Sequence, residues 1–313
     1  GGLYNRVTYE IKLEPFTLKE CERYYESKNI KMSRYDIAQS YMILGGVPYY
    51  MGYFQSGKSL AQNIDTLFFA KHGKLRNEYE RLFASIFSNP EQMMLLVKVL
   101  SKRNAGCTKK EIVEETGIKD GGSLTKCLNA LIASDFIIKY TPFGKRKKEH
   151  YKLVDPFCMF YLNFIEKKKP LDENFWSQNI SSQQISSWRG FAFENLCFNH
   201  INQIKKAIGI QGVISTHSAW SKRQDDEDGV QIDLLISRND NVVNMCEIKY
   251  YGSDFAVTKE YYRTLLNRQE ILSKEISPKC TIHNTLITTF GLVYNEYSGI
   301  FTNVIDLDAL FVE

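Results

Sequence analysis

Asp233, Glu247 and Lys249 stand where a buried strand tolerates charge least. In this 313-residue chain the stretch 231–251 reads QIDLLISRNDNVVNMCEIKYY, and these three residues interrupt runs that are otherwise apolar and β-branched. An uncompensated charge in such surroundings is costly, so these groups are expected to be paired, solvated or holding a metal. Glu247 and Lys249 are two apart, and strand alternation puts them on one face. Asp233 belongs to the preceding run, where a suitable register brings it beside them. Two carboxylates and an ammonium at the ends of adjacent strands could seat a divalent cation and an activated water. The plainer alternative is a structural Glu247–Lys249 ion pair with Asp233 capping a turn.

These side chains need elements to carry them. QIDLLI and VVNMCEIKY read as two strands joined by a polar hairpin loop over residues 238–241. Upstream, residues 186–209 carry Phe193, Leu196, Cys197, Ile201, Ile204 and Ile208 at helical spacing, with Glu194 beside that stripe. Residues 212–217 read as a first strand, 261–276 as a crossover helix and 285–290 as a fourth strand. An Asp followed by Glu-x-Lys on the next strand, in the order helix, three strands, helix, strand, resembles the PD-(D/E)XK nuclease superfamily. The resemblance covers about residues 186–313, with Ile-Asp standing where the family has Pro-Asp. It implies a restriction-endonuclease-like domain whose central mixed sheet is flanked by helices. It further implies that Asp233, Glu247 and the Ile248 backbone carbonyl ligate Mg²⁺ or Mn²⁺, while Glu194 holds a second metal or a metal-bound water. Lys249 would orient the attacking water or offset transition-state charge. Glu194, Asp233, Glu247 and Lys249 are then the expected catalytic set.

Residues 1–90 are expected to be mostly helical after a short strand, VTYEIKLEPF. Thr17 opens a helix with Glu20 as its capping-box partner, and LGGVPYYMGYF holds a Gly-Gly turn and a proline that interrupts any single helix. LEPF, a helix, LGGVPYY and the helix SLAQNIDTLFF resemble the lid subdomain of archaeal- and bacterial-type AAA-family ATPases. Members of that family often continue into a winged helix and a restriction-endonuclease-like domain. No nucleotide-binding core precedes Leu3, so the resemblance implies that this chain is the C-terminal part of a longer protein. ATP and self-association would then belong to the missing portion. GYFQSGKS, residues 52–59, satisfies the phosphate-loop pattern G-x-x-x-x-G-K-[ST]. Such a loop must leave a buried strand, and Pro48 just before it suits no central strand. A polar turn ahead of a helix is expected there, without a nucleotide.

Residues 91–165 read as a winged helix-turn-helix: helices at 91–103, 107–117 and 123–137, then a two-stranded wing. Lys126 on the third helix and Lys145, Arg146, Lys147 and Lys148 at the wing tip are expected to contact DNA phosphates. Glu111, Glu114 and Glu115 dilute that basic surface. The aromatic-rich 155–169 is expected to pack between segments, and the polar stretch 166–185 to be a linker. The net charge of +4 is too mild to identify a partner by itself, and seven cysteines without a CxxC pair suit reduced thiols. Neither a signal peptide nor a membrane-length apolar run is found, so a cytoplasmic protein with no membrane partner is expected. These readings combine into an α/β multidomain protein cleaving DNA phosphodiester bonds with a metal. The alternative is a catalytically silent DNA- or protein-binding module.

Overall fold

The chain begins with a helical layer. The computed structural model describes residues 8–9, 11–144, 149–166, 172–222 and 230–313, so Lys145, Arg146, Lys147 and Lys148 lie outside the described residues. Helix α1 (Leu18–Ser27) starts at the expected capping box: the Thr17 hydroxyl accepts from Glu20 N–H, and the Glu20 carboxylate accepts from Thr17 N–H at 2.7 Å. Helix α2 (Arg34–Leu44) is buried from Ile37 to Leu44. At Gly46 (φ +68°) a Cβ would lie 2.4 Å from the Phe16 carbonyl oxygen, so the turn after α2 requires a residue without one. Pro48 then serves as the first residue of α3 (Pro48–Met51), where its fixed φ is already helical. Helix α4 (Leu60–Ile64) continues into a π-helical turn over Asp65–Phe69, and α5 (Glu78–Ile86) closes the layer. The strand expected near the N-terminus does not form among the described residues. Ile11 and Leu13 are 71% and 88% exposed, so no sheet or core collects them.

Helix α6 (Pro90–Leu100), strand β1 (Cys107–Thr108), α7 (Lys109–Thr116), α8 (Gly122–Ala133), β2 (Ile137–Tyr140) and β3 (His150–Leu153) follow. The strands form a small antiparallel sheet in the order β1-β3-β2. Alternation splits its central strand: Tyr151 and Leu153 are buried in the core, while His150 and Lys152 share the other face with their partners Tyr140 and Ile138 on β2. Helix α9 (Pro156–Phe164) buries Phe157, Phe160 and Phe164 completely and packs on α2. The described part of the expected linker is mostly exposed but is anchored by a short helix. Helix α10 (Phe175–Asn179) buries Trp176, and the Asp65 carboxylate accepts the backbone N–H groups of Trp176 and Ser177 at 2.8 and 3.0 Å. Two aromatic side chains, Phe175 and Trp176, anchor this polar stretch.

The remaining elements are α11 (Gln183–Asn199), α12 (Ile201–Ala207), β4 (Ser215–Lys222), β5 (Val230–Arg238), β6 (Val242–Lys249), α13 (Lys259–Ser273), β7 (Thr281–Thr288) and β8 (Asn303–Ile305). They form a mixed sheet in the order β4-β5-β6-β7-β8, antiparallel through β6 and parallel beyond it. The expected order of elements is present, with β8 added at the edge. The helix expected across 186–209 is broken at His200. That side chain takes part in another element, its Nε2 accepting the Leu18 N–H at the start of α1 at 3.0 Å. Helix α11 covers one face of the sheet against Leu234, Ile236, Cys246 and Ile248, and α13 covers the other against Leu235, Val243 and Met245. The fold is therefore α/β, with two sheets and helices on both faces of the larger one.

Candidate functional site

Strands β5 and β6 pair as Leu234↔Cys246 and Leu235↔Met245, which sets Asp233 beside the Glu247–Lys249 segment. A bulge decides where Asp233 points. Ser218 pairs with Leu235 and Trp220 with Ile232, so Asp233 and Leu234 together oppose Ala219. Alternation reverses phase there: Val230 and Ile232 pack on the α13 side, Leu234 and Ile236 on the α11 side. Bulges re-aim side chains in this way. Asp233 thereby faces the same cleft as Glu194 on α11, and its Oδ2 accepts the Ile248 N–H at 3.1 Å.

Glu247 is 3% exposed and fully engaged. Lys249 Nζ lies 2.6 Å from one carboxylate oxygen and Arg268 2.6 Å from the other, and the Tyr261 hydroxyl donates to the first. Burial disfavours its charge, yet Lys249 and Arg268 outweigh that and hold Glu247 below the ordinary carboxylate range. Asp233 goes the other way: burial, then the Glu247 carboxylate, push it up to about 6. Glu194 is pushed up to about 7 by burial and then by Asp233. A carboxyl pair poised around neutral pH can exchange a proton with a bound group.

Glu194 and Asp233 line a cleft between the small sheet and the β4–β5 edge, with Gln231 and Trp220 on one wall and Tyr140, His150 and Lys152 on the other. A second lobe shares Tyr140, Lys152 and Ala219 and runs past Phe198 and His217. The lobes hold about 500 and 670 Å³, open to solvent. Lys152 is only 5% exposed and packs its ammonium over the Phe198 ring at 4.6 Å. Burial lowers it to about 8, against the pull of the Glu194 and Asp233 carboxylates.

Of the four residues expected from the motif, Glu194 and Asp233 share the cleft, whereas Glu247 and Lys249 are engaged with Arg268 and Tyr261 of α13 and line neither lobe. As arranged, however, they do not offer a metal the expected set of donors. Both Glu247 oxygens are taken by cations and a phenol, and one Asp233 oxygen accepts the Ile248 N–H. No group of three or more His, Cys, Asp and Glu side chains among the described residues is placed to share an ion. The physical reason is that Lys249 and Arg268 occupy the Glu247 carboxylate a dication would need.

Three participants escaped the sequence reading. Tyr261 and Arg268 are seven apart on α13, hence on one helical face, and flank the buried Leu265. That spacing on the helix after a Glu-x-Lys strand was a usable signal. Gln269, next on this helix, accepts from Asn284 at 3.0 Å. Lys152 sits at an outward position of a strand whose neighbours are apolar, and nothing in its own segment foretells the carboxylates opposite.

On the three-helix unit, Lys126 is exposed on α8. Lys109 pairs with Asp120 at 2.5 Å, Lys110 with Glu114 at 3.7 Å, and Arg103 with Glu111 and Glu115 at 2.7 Å each. Much of that surface is therefore satisfied internally. Residues 52–59 follow helix α3, not a strand; Ser59 caps α4, and Lys58 donates to Thr66 at 3.3 Å. The phosphate-loop pattern is here a turn and a helix cap. No described helix is long and apolar enough to cross a membrane.

No family model matches the chain, and no curated protein matches it. Among solved structures, a Walker-type ATPase of Pyrococcus abyssi is similar at 16% identity over 51% of this chain, with a TM-score of 0.30. The match spans 45% of that ATPase, less than half its length. A likeness at this level fixes neither fold nor function.

Proposed function

We propose that the cleft between the small sheet and the β4–β5 edge is a nuclease-like phosphodiester site, carried in the C-terminal part of an AAA-type ATPase. The ATPase context rests on the lid-like and winged-helix resemblances alone. One observation carries the site: Glu194 on α11 and Asp233 on β5 line one solvent-open cleft, and Asp233 is tied to the Glu247–Lys249 strand through the Ile248 N–H. Within it, Glu194 and Asp233 exchange protons near neutral pH, and Lys249 offsets charge developing on a phosphoryl group. No step is routed through a metal. Plasmid nicking in the presence and absence of Mn²⁺ tests the reading, with Asp233→Ala and Lys249→Ala each expected to lose roughly 100-fold or more of the activity. Wild-type protein that nicks no faster than either variant would sink it.

A second reading is favoured by the saturation of Glu247, whose ion pairs with Lys249 and Arg268 suit a structural role. The fold would then bind nucleic acid or protein without chemistry. Gel shifts at two salt concentrations separate the two readings: DNA retained without cleavage, and released as salt rises, supports this one.

A further inference from the structure

Lys152 reaches the cleft from a sheet that is no part of the larger α/β unit. Its partner on β2 is Ile138, and the preceding Tyr151 is paired on both sides, with Cys107 and Lys139. Among the described residues its ammonium makes no direct hydrogen bond or ion pair; the Phe198 ring is its close contact. A nearly buried ammonium without a direct partner is held only if nearby charge offsets it. That charge is on Glu194 and Asp233, which line the same cleft. In their charged forms, Glu194, Asp233 and Glu247 are balanced by Lys152, Lys249 and Arg268. Lys249 and Arg268 are bound to Glu247, so Lys152 serves the two carboxylates that remain. A dication added to this balanced, half-buried set would bring two unopposed charges, and Coulomb repulsion there is weakly screened.

We infer that Lys152 stands in for a divalent cation, so that its ammonium, held at the cleft by the small sheet, sets whether Glu194 and Asp233 can take a metal. Removing the ammonium leaves two carboxylates and cleft water, the kind of sparse oxygen set that Mg²⁺ and Mn²⁺ accept. The inference deepens the nuclease-like reading and rests on it for its purpose, whereas its test does not depend on catalysis.

Mn²⁺ binding to the full chain, followed by electron paramagnetic resonance, reads it directly. Lys152→Met and Lys152→Gln are expected to bind Mn²⁺ at least about ten-fold tighter than wild type. Lys152→Arg, which keeps the charge, should not gain. Adding Asp233→Asn to either neutral variant should abolish the gain. The two neutral variants differ in polarity, so loss of folding in one leaves the other to decide, with circular dichroism as the check. A folded neutral variant that binds Mn²⁺ no tighter than wild type overturns the inference, as does a gain that survives Asp233→Asn. Tighter Mn²⁺ binding without plasmid nicking leaves the inference standing and removes the nuclease reading.

Discussion

Glu247 carries more of the site's integrity than any other side chain in it. With Lys249 and Arg268 each at 2.6 Å, Glu247→Ala strands two cations in a half-buried place, and breaking such a pair costs about 3 kcal/mol. Urea denaturation checks this, and Glu247→Ala combined with Arg268→Met should cost less than the two single changes added. His200 supplies a pH test. Its ring is 1% exposed, contacts the Leu196 carbonyl through Nδ1 and accepts the Leu18 N–H through Nε2. Burial lowers it to about 4, against about 6.5 in an unfolded chain. The folded state then binds fewer protons between those values, so this contribution is whole above pH 6.5, falls as pH drops and levels off below 4. The loss reaches on the order of 3 kcal/mol. Glu194, pushed up to about 7, works in the opposite sense, so the comparison is made against His200→Gln. The destabilisation caused by that variant at pH 7 should shrink by pH 4.5. At this scale the sequence revealed Asp233, Glu247 and Lys249 because charge in a β-branched run is self-announcing. Lys152, Tyr261 and Arg268 did not announce themselves, since each is ordinary where it stands and acquires meaning only from what folds against it.

The elements were legible where their signals are local. The Thr17–Glu20 capping box, the hairpin around residues 238–241 and the order of strands and helices in the last third all follow from short-range chemistry. What escaped were features set by partners: the break at His200, the edge strand β8 and the β5 bulge that turns Asp233 toward α11. The packed α10 belongs to the same class, because its anchor is Asp65, over a hundred residues away. Asp65→Ala removes the acceptor for two backbone N–H groups and the Ser177 hydroxyl, leaving buried donors unpaired. A loss of about 2–4 kcal/mol is expected, read as a fall in urea midpoint with an unchanged slope. An unaltered midpoint would mean that this turn does not depend on Asp65.

Over the whole molecule, the reading of separate segments joined by a spacer meets a shared interior. One apolar cluster includes Leu18 of α1, Leu96 of α6, Phe160 of α9, Phe193 of α11, Cys246 of β6 and Phe311 near the C-terminus. Apolar patterning shows that each of these residues must be buried, but not that they are buried together. The chain's end is tied to its first helices as well, with Arg34 3.1 Å from Asp308 and stacked on Phe311 at 4.9 Å. A second cluster, on the α13 side of the large sheet, holds Trp220, while Trp176 and Trp188 belong to the first. The shared interior predicts cooperative unfolding across the segments. Tryptophan fluorescence of Trp220→Phe reports the first cluster, and that of Trp176→Phe/Trp188→Phe reports the second. The buried rings make these variants somewhat less stable, so each fluorescence transition is compared with the far-ultraviolet dichroism of the same variant. Coincident midpoints within each variant are expected. If fluorescence and dichroism separate, the segments unfold as independent units.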